Sequence, residues 1–392
     1  MKSFIIMAYM AMLGVSTVAA DELDSVAGRA LFKRQWLPAP SSTIASDGLG
    51  PLFNARSCEA CHAGGGPALA TAGAGRKRSI KGSVVRFGDA KGRPDPYYGQ
   101  QLQTGAVPGL ESEGNARGSY PLDFDLSGPP LADGVKAGAR IAPSLAGRAA
   151  FDDIADDEIL KLAEAQKNAD GPVKGIARRL GPDGASGPVG RFGWKASHAT
   201  LENQIANAFA LDMGLSSPLD PRPYGDCTPQ QTACLAAPHG ESESFDGREV
   251  SSQMLDLVAA YLKTLQAPAS ENNDDGKALF ETTGCAACHV PQMTGKSGQA
   301  AATYSDFLLH DMGADLDDGV GEANVPSSRW RTAPLVDMTT RDNKRRYLHD
   351  GRASSLDTAI TAHGGEAEAA RQSYEALDID EKRQLIGFLK HL

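Results

Sequence analysis

The sequence predicts a mainly α protein built from two similar helical domains, the first of which is enlarged by a long insert. An internal repeat supports this fold class. Gly-Arg-Ala-Leu-Phe at 28–32 and Gly-Lys-Ala-Leu-Phe at 276–280 each open a pattern with apolar side chains at helical spacing. Tyr-Leu-Lys-Thr-Leu at 261–265 and Phe-Leu-Lys-His-Leu at 388–392 close two further patterns of this kind. We therefore expect one domain over residues 21–266 and a second over residues 267–392.

Each half also contains a Cys-x-x-Cys-His sequence soon after its opening helix. This spacing is the attachment signature of c-type haem, in which two thiols bond to the porphyrin and the histidine binds the iron. A single Cys-x-x-Cys is also compatible with a redox dithiol or half a zinc site, but two copies followed directly by His favour haem. The sequence therefore predicts two cytochrome c-like domains with two covalently bound haem c groups, held by Cys58, Cys61 and His62 and by Cys285, Cys288 and His289.

The first domain is the longer one because residues 63–141 form a Gly- and Pro-rich insert. We expect loops with short β pieces there, including a strand near Ser83–Phe87. Helical patterns resume at Asp157–Gln166 and at Leu201–Leu211. Pro, Ser, Asn and Asp between Gln266 and Gly276 indicate a linker between the domains.

Residues 1–20 have the pattern of a secretory signal peptide: Lys2, an apolar stretch, and Val-Ala-Ala before Asp21. A membrane anchor is the alternative, but the stretch is short compared with the ~20 apolar residues that a spanning helix needs. We expect export to a bacterial periplasm. The formal charge of -10 argues against nucleic acid and anionic membranes as partners, and is compatible with docking a small basic electron-transfer protein, a cytochrome or a cupredoxin.

Two cysteines stand outside the haem motifs, Cys227 and Cys234. In an oxidising compartment a short-loop disulfide is the simpler interpretation. A redox-active thiol pair is the alternative, although nothing nearby in the sequence would lower a thiol pKa.

Several phrases resemble the bacterial dihaem cytochrome c peroxidase and MauG superfamily. Within it, the chain is most similar to the dihaem oxidoreductase family, whose members are sometimes labelled predicted thiol oxidoreductases. The phrases that carry the resemblance extend over nearly all of the chain after residue 20: residues 50–57, 190–196, 212–214, 330–335, 348–353 and 363–367.

The resemblance implies which residue lies opposite His289. Dihaem peroxidases place a distal ligand, usually Met, fourteen residues after the His of a His-x-Gly turn. Here the turn begins at His349 and the fourteenth residue is His363. Ser355 is a candidate N-cap for the helix that would present it. We therefore expect bis-histidine ligation by His289 and His363, with a lower potential than Met would give; a surface histidine is the alternative for His363.

The same comparison implies an open position opposite His62. Thr200–Leu201 matches Ser355–Leu356, which puts Ala208 at the ligand position, and alanine cannot bind iron. We expect an open or water-bound haem there. Two side chains are alternative ligands that would close it: His198 and Met213.

The resemblance also implies residues for peroxide chemistry. Gln204 matches a distal Gln of the family, and Asp212 matches a distal Glu with a two-residue deletion and a shorter side chain. Trp194 matches the tryptophan between the haems; Trp330 is a weaker candidate. The alternative for Gln204 and Asp212 is that they are ordinary polar residues on an amphipathic helix. The alternative for Trp194 is that it is a core aromatic residue, and we expect it to be buried in either case. Ile141 replaces the asparagine of the family's Ca²⁺ site, so bound Ca²⁺ is left in doubt.

His310 and Met312 are expected to pack near the second haem, and His349 to form structural hydrogen bonds.

The leading functional hypothesis is a peroxidase-like oxidoreductase, in which peroxide or another oxidant reacts at the His62 haem and the bis-His haem exchanges electrons with an external partner. A non-enzymatic electron-transfer cytochrome, a MauG-like oxidation of a protein or organic substrate, and thiol oxidation through Cys227 and Cys234 are the alternatives.

Overall fold

A computed structural model describes residues 21–71, 80–117, 121–268, 273–339 and 344–392. The predicted signal peptide, residues 1–20, and the middle of the predicted linker, residues 269–272, lie outside these ranges. The fold is mixed to mainly helical, with small sheets.

The long helices lie where the apolar periodicity predicts them. Their bounds, with the shorter helices between them, are α1 (21–33), α2 (Cys58–Cys61), α3 (Asp156–Asn168), α4 (Leu201–Met213), α5 (Thr232–Leu235), α6 (Ser252–Thr264), α7 (Asp274–Thr282), α8 (Leu356–Thr361), α9 (Glu368–Ala376) and α10 (Ile379–Lys390).

The strands are short and form two-stranded pairs. In chain order they are β1 (Leu37–Pro38), β2 (Asp47–Leu49), β3 (Leu52–Phe53), β4 (Leu69–Ala70), β5 (Ile80–Lys81), β6 (Ser83–Gly88), β7 (Gly105–Ala106), β8 (Gly114–Arg117), β9 (Asp123–Leu126), β10 (Lys136–Ile141), β11 (Gln292–Thr294), β12 (Ala300–Ala302), β13 (Leu309–Asp311) and β14 (Arg329–Arg331). The longest pair is antiparallel β6 and β10, in which Val85 lies opposite Ala139. Strand pairs in the insert agree with the prediction.

Two strand pairs lie in the second half, where no strand was predicted. β11 pairs with β12, and β13 pairs with β14 so that His310 lies opposite Trp330. Strands of three residues are too short to display the alternation from which a strand is recognised in sequence. They matter because β14 brings Trp330 toward the first half of the chain.

The glycines of the internal repeat mark equivalent helix crossings. A side chain at Gly28 of α1 would run into the backbone of Leu257 in α6, and one at Gly276 of α7 would run into α10 at Gln384 and Phe388. In each half the opening helix therefore packs closely on the closing helix. Separate clusters of buried side chains surround the two crossings, one containing Phe32, Phe209 and Leu255 and the other Phe280, Leu385 and Phe388.

Candidate functional site

His62 lies on the wall of a cavity of about 620 Å³ that is lined mainly by the first half of the chain and, at residues 320–323, 331 and 333, by the second half. One side of this cavity is a single face of α4, because residues three, four and seven apart share a face of a helix. That face presents Leu201, Gln204, Ile205, Ala208 and Asp212. The Thr200 hydroxyl caps α4 by accepting a hydrogen bond from the backbone N–H of Asn203 at 3.1 Å, which fixes where this face begins.

The rest of the lining combines apolar and charged side chains. Phe32, Val258 and Leu262 supply apolar surface from the crossing of α1 and α6. Six guanidinium groups and two carboxylates also line the cavity, from Arg86, Arg140, Arg148, Arg178, Arg191, Arg331, Asp212 and Glu322. This combination suits a flat apolar ring with two carboxylate substituents, such as haem.

Two of these arginines carry a charge that burial disfavours. Burial, together with the charge of the neighbouring Arg148, lowers the pKa of Arg331 to about 9. Burial also lowers the pKa of Arg148 to about 10. An anion placed between the two groups would relieve this repulsion. The haem carboxylates would be such anions.

The protonation states of the first Cys-x-x-Cys-His motif are compatible with haem attachment. Burial lowers the pKa of His62 to about 4, so the imidazole is neutral at pH 7 and able to bind a metal. Burial, with the charge of Asp212, raises the pKa of Cys58 and of Cys61 to about 12. The environment of both sulfurs therefore favours an uncharged sulfur atom. A thioether bond to haem would leave each sulfur uncharged.

The three predicted catalytic residues all reach this cavity. The Asp212 carboxylate accepts a hydrogen bond from Gln101 Nε2 at 2.9 Å and lies close enough to the Cys58 and Cys61 thiols to raise their pKa. The Trp194 indole donates to the Ile141 carbonyl at 3.0 Å. Trp194 is only partly buried, contrary to the expectation of full burial, because part of its ring faces the cavity.

Other polar residues of the cavity were not predicted as functional. Asn207, on α4, lies 3.1 Å from Nε2 of His198, measured from the amide oxygen. Glu322 accepts a hydrogen bond from the Ser197 hydroxyl at 2.6 Å. Asn207 is three residues after Gln204, so the helical face could have identified it; Arg86 and Glu322 come from distant segments and carry no such signal. Met213, the other suggested ligand for His62, is buried in the apolar core.

At the second motif, two histidines have equivalent hydrogen bonds. His289 Nδ1 lies 2.9 Å from the Tyr304 carbonyl, and His363 Nδ1 lies 2.8 Å from the Ala359 carbonyl. A histidine that donates Nδ1–H to a carbonyl keeps its Nε2 lone pair for a metal. Burial lowers the pKa of His289 to about 4, and the nearby His363 adds to this lowering against the effect of the Tyr304 carbonyl.

A buried ionic cluster adjoins this second motif. His310 Nδ1 lies 2.7 Å from Glu366 and its Nε2 lies 3.0 Å from Asp306, while Cys288 Sγ is 3.8 Å from Nδ1. Although burial disfavours the charge, the hydrogen bonds to Asp306, Cys288 and Glu366 raise the pKa of His310 to about 12. Both ring nitrogens are protonated donors, so the imidazolium has no lone pair for a metal.

A junction of aromatic and cationic groups joins the two halves. His349 stacks on Trp330 with ring centroids 3.7 Å apart, and Lys195 Nζ lies 3.7 Å from the same indole. The Lys195 ammonium donates to the carbonyls of Pro326, Ser327 and Arg329 at 3.2, 2.9 and 2.8 Å. This places Lys195, next to Trp194, in a fixed position against β14.

Cys227 and Cys234 are joined in a disulfide, as the simpler interpretation predicted. The loop therefore holds this cysteine pair in its oxidised form. The four cysteines of the two haem motifs are the free cysteines of the described residues.

Comparisons with known proteins add a family to this geometry. A family model described as "Di-haem oxidoreductase, putative peroxidase" matches residues 125–392. A chain of Kuenenia stuttgartiensis hydrazine synthase, in a structure pressurized with 20 bar xenon, is 18% identical with a TM-score of 0.27, over 56% of this chain and 76% of that one. No curated protein matches. Within the described ranges, no helix combines the length and apolar character required to cross a membrane.

Proposed function

Because this chain belongs to the di-haem oxidoreductase family, we propose that it is a periplasmic dihaem c-type cytochrome that reduces peroxide. Residues 1–20 are its signal peptide, and residues 21–266 and 267–392 are its two cytochrome c-like domains, the first with the insert 63–141. The observation that supports this function most is the asymmetry between the two motifs: α4 presents Ala208 to the His62 cavity, whereas His363 lies near His289.

The residues of the first motif fit an attached haem. Cys58 and Cys61 would hold it covalently, His62 would bind its iron, and Arg148 and Arg331 would pair with its carboxylates. A haem iron with one protein ligand can react with peroxide, whereas one with two protein ligands exchanges electrons. Cys285, Cys288, His289 and His363 would hold the second haem in the latter state.

The cavity side chains then bind and orient peroxide. Gln204 can donate its amide N–H to a peroxide oxygen, and Asp212 can hold a proton because burial raises its pKa above the ordinary aspartate value. Reduction of H₂O₂ to two waters takes up two protons and two electrons. A small external cytochrome or cupredoxin would supply the electrons, the second haem held by Cys285, Cys288 and His289 would provide the electron-transfer chemistry, and Trp194 is proposed to lie between the two sites.

Closing the open position tests this proposal. Ala208→Met places a thioether where the cavity is lined by α4, so we expect peroxide-dependent oxidation of a reduced small cytochrome to fall at least 100-fold and a high-spin haem signal to become low-spin. Glu202→Met, on the same helix but outside the cavity lining, is the matched control and should change neither.

An electron-transfer cytochrome without enzymatic activity is the competing outcome. It would have both irons low-spin before any substitution, and Ala208→Met would leave the spectrum as it was. Thiol oxidation is not part of this proposal, because the Cys227–Cys234 disulfide lies outside the residues that line the cavity.

A further inference from the structure

We propose that His198 is the acid–base residue of the His62 cavity and that Asn207 is its positioning residue. This inference rests on the proposed function, since it names the group that moves a proton during peroxide cleavage. His198 lies on the wall of the cavity together with His62 and Ala208.

A tight hairpin fixes the backbone of His198. Its carbonyl accepts hydrogen bonds from the N–H groups of Arg191 and Phe192 at 2.8 and 2.9 Å, and its own N–H donates back to Phe192. The hairpin also carries Trp194 and Lys195, and Lys195 anchors it to three carbonyls of the second half. His198 is therefore held on a rigid element, as a proton-transfer group must be.

The bond to Asn207 selects the tautomer of His198. Nε2 lies 3.1 Å from the Asn207 amide oxygen, which can only accept, so Nε2 carries the hydrogen. Nδ1 then keeps its lone pair. Burial lowers the pKa of His198 to about 4, and the ring is consequently a neutral base at pH 7.

Three charged groups face His198 besides Asn207. Glu322 favours its protonated form, while Arg86 and Arg178 disfavour it. The Ser197 hydroxyl donates to Glu322, and Arg178 donates to Ser197 Oγ at 2.9 Å, so these charges are held in place by hydrogen bonds. Together they make the surroundings of His198 polar and suited to a small oxygen-rich molecule.

The other cavity groups are less suited to this role. Gln204 has no titratable group. Asp212 is engaged by Gln101 and lies close to the Cys58 and Cys61 sulfurs, which are fixed attachment points for haem. His198 is thus the neutral base of the cavity whose orientation is fixed by a hydrogen bond.

The proton balance of the step is simple. His198 Nδ1 takes one proton from one oxygen of H₂O₂ and returns it to the other oxygen, the O–O bond breaks, and one water leaves. The two electrons that the broken O–O bond requires would be supplied by the haem chemistry of the His62 site and replaced by the external donor, and the remaining oxygen leaves as the second water with two protons from solvent. His198 ends in its starting state.

The test is His198→Gln, which keeps a donor toward Asn207 but cannot carry the proton. We expect the second-order rate constant with peroxide to fall about 10²- to 10⁴-fold while the resting haem spectrum is unchanged. Cyanide binding to the ferric protein should also slow, because HCN must lose its proton to bind. His239→Gln, an exposed histidine of the same half, is the control and should leave both rates unaltered.

Substitutions of Asn207 test whether this residue positions His198 or only supports the fold, and they keep the inference testable if His198→Gln does not fold. Asn207→Asp should raise the pH below which the peroxide rate falls, since a carboxylate stabilises the imidazolium; in the wild type this fall should come near pH 4. Asn207→Ala should slow the reaction without moving the resting spectrum. An unmoved pH profile in Asn207→Asp would count against the assignment.

Other outcomes overturn the inference in distinguishable ways. Unchanged peroxide and cyanide rates in His198→Gln would show that another group moves the proton. A change from low-spin to high-spin haem would make His198 an iron ligand. Slower cyanide binding in a protein whose wild type does not consume peroxide would instead retain His198 as a base and refute the proposed function.

Discussion

The two Cys-x-x-Cys-His motifs share a sequence and differ in surroundings. His62 lies on a cavity lined by α4, where Ala208 offers no donor atom. His289 lies near a second imidazole, His363, and both rings are held by backbone carbonyls. On the proposed function, the shared motif would attach a haem at each site, while the facing segment would decide whether that haem reacts with peroxide or only exchanges electrons.

The facing segments begin alike and then diverge. Thr200 caps α4 and Ser355 caps α8, each by a hydrogen bond of 3.1 Å to a backbone N–H three residues on. α4 continues to Met213. α8 ends at Thr361, two residues before His363, so the helix that was expected to present His363 stops short of it. His363 therefore follows the helix, and its backbone N–H bonds to Ile360.

Removing the cysteines of one motif should change the protein most, because that motif would then attach no haem while the other motif would be unaffected. Cys58→Ala with Cys61→Ala eliminates both thioethers of the first haem, so the covalent haem content should fall from two per chain to one, as measured by mass spectrometry of the denatured protein. Cys285→Ala with Cys288→Ala should give the same loss at the other motif. An unchanged content in either double variant would contradict covalent attachment there.

Replacing His363 should alter the spectrum of the second haem and leave that of the first haem unchanged. In His363→Ala we expect loss of the low-spin signal of the second haem, and in His363→Met a higher reduction potential, because Met raises the potential relative to His. His391→Ala is the matched control: its Nδ1 also bonds a carbonyl four residues earlier, at 2.7 Å, but the residue is exposed. Identical spectra for both alanine variants would exclude His363 as a ligand.

Disrupting the junction should lower stability. Lys195→Met removes three hydrogen bonds to buried or partly buried carbonyls and the cation over Trp330, so we expect about 2–4 kcal/mol less free energy of unfolding. Lys296→Met is the control, since its exposed ammonium bonds one carbonyl, that of Asp152. Equal losses in the two variants, measured by chemical denaturation, would show that the junction is not stabilising.

Removing the disulfide should have the smallest effect on the comparison, because it lies outside both sites. Cys227→Ser with Cys234→Ser should cost about 2–3 kcal/mol of unfolding free energy for a loop this short. Peroxide consumption should not change. A loss of turnover without a loss of folded protein would restore thiol chemistry as a candidate.

The sequence predicted the helices and the main contacts of the site because these depend on periodicity and short spacing. Gln204, Ala208 and Asp212 share a face of α4, and the glycines of the repeat lie at helix crossings, as local patterns require. Arg86, Asn207 and Glu322 were missed as functional residues. Arg86 and Glu322 meet in the cavity from segments more than two hundred residues apart, which no local pattern encodes. The β13–β14 pair was missed since its strands are three residues long.

An electron paramagnetic resonance spectrum of the resting ferric protein, titrated with peroxide, tests the asymmetry between the two sites most directly. We expect one high-spin signal from the His62 haem, consumed by peroxide, and one low-spin signal from the His289–His363 haem. Two low-spin signals that peroxide leaves unchanged would contradict the open site and, with it, the peroxidase function.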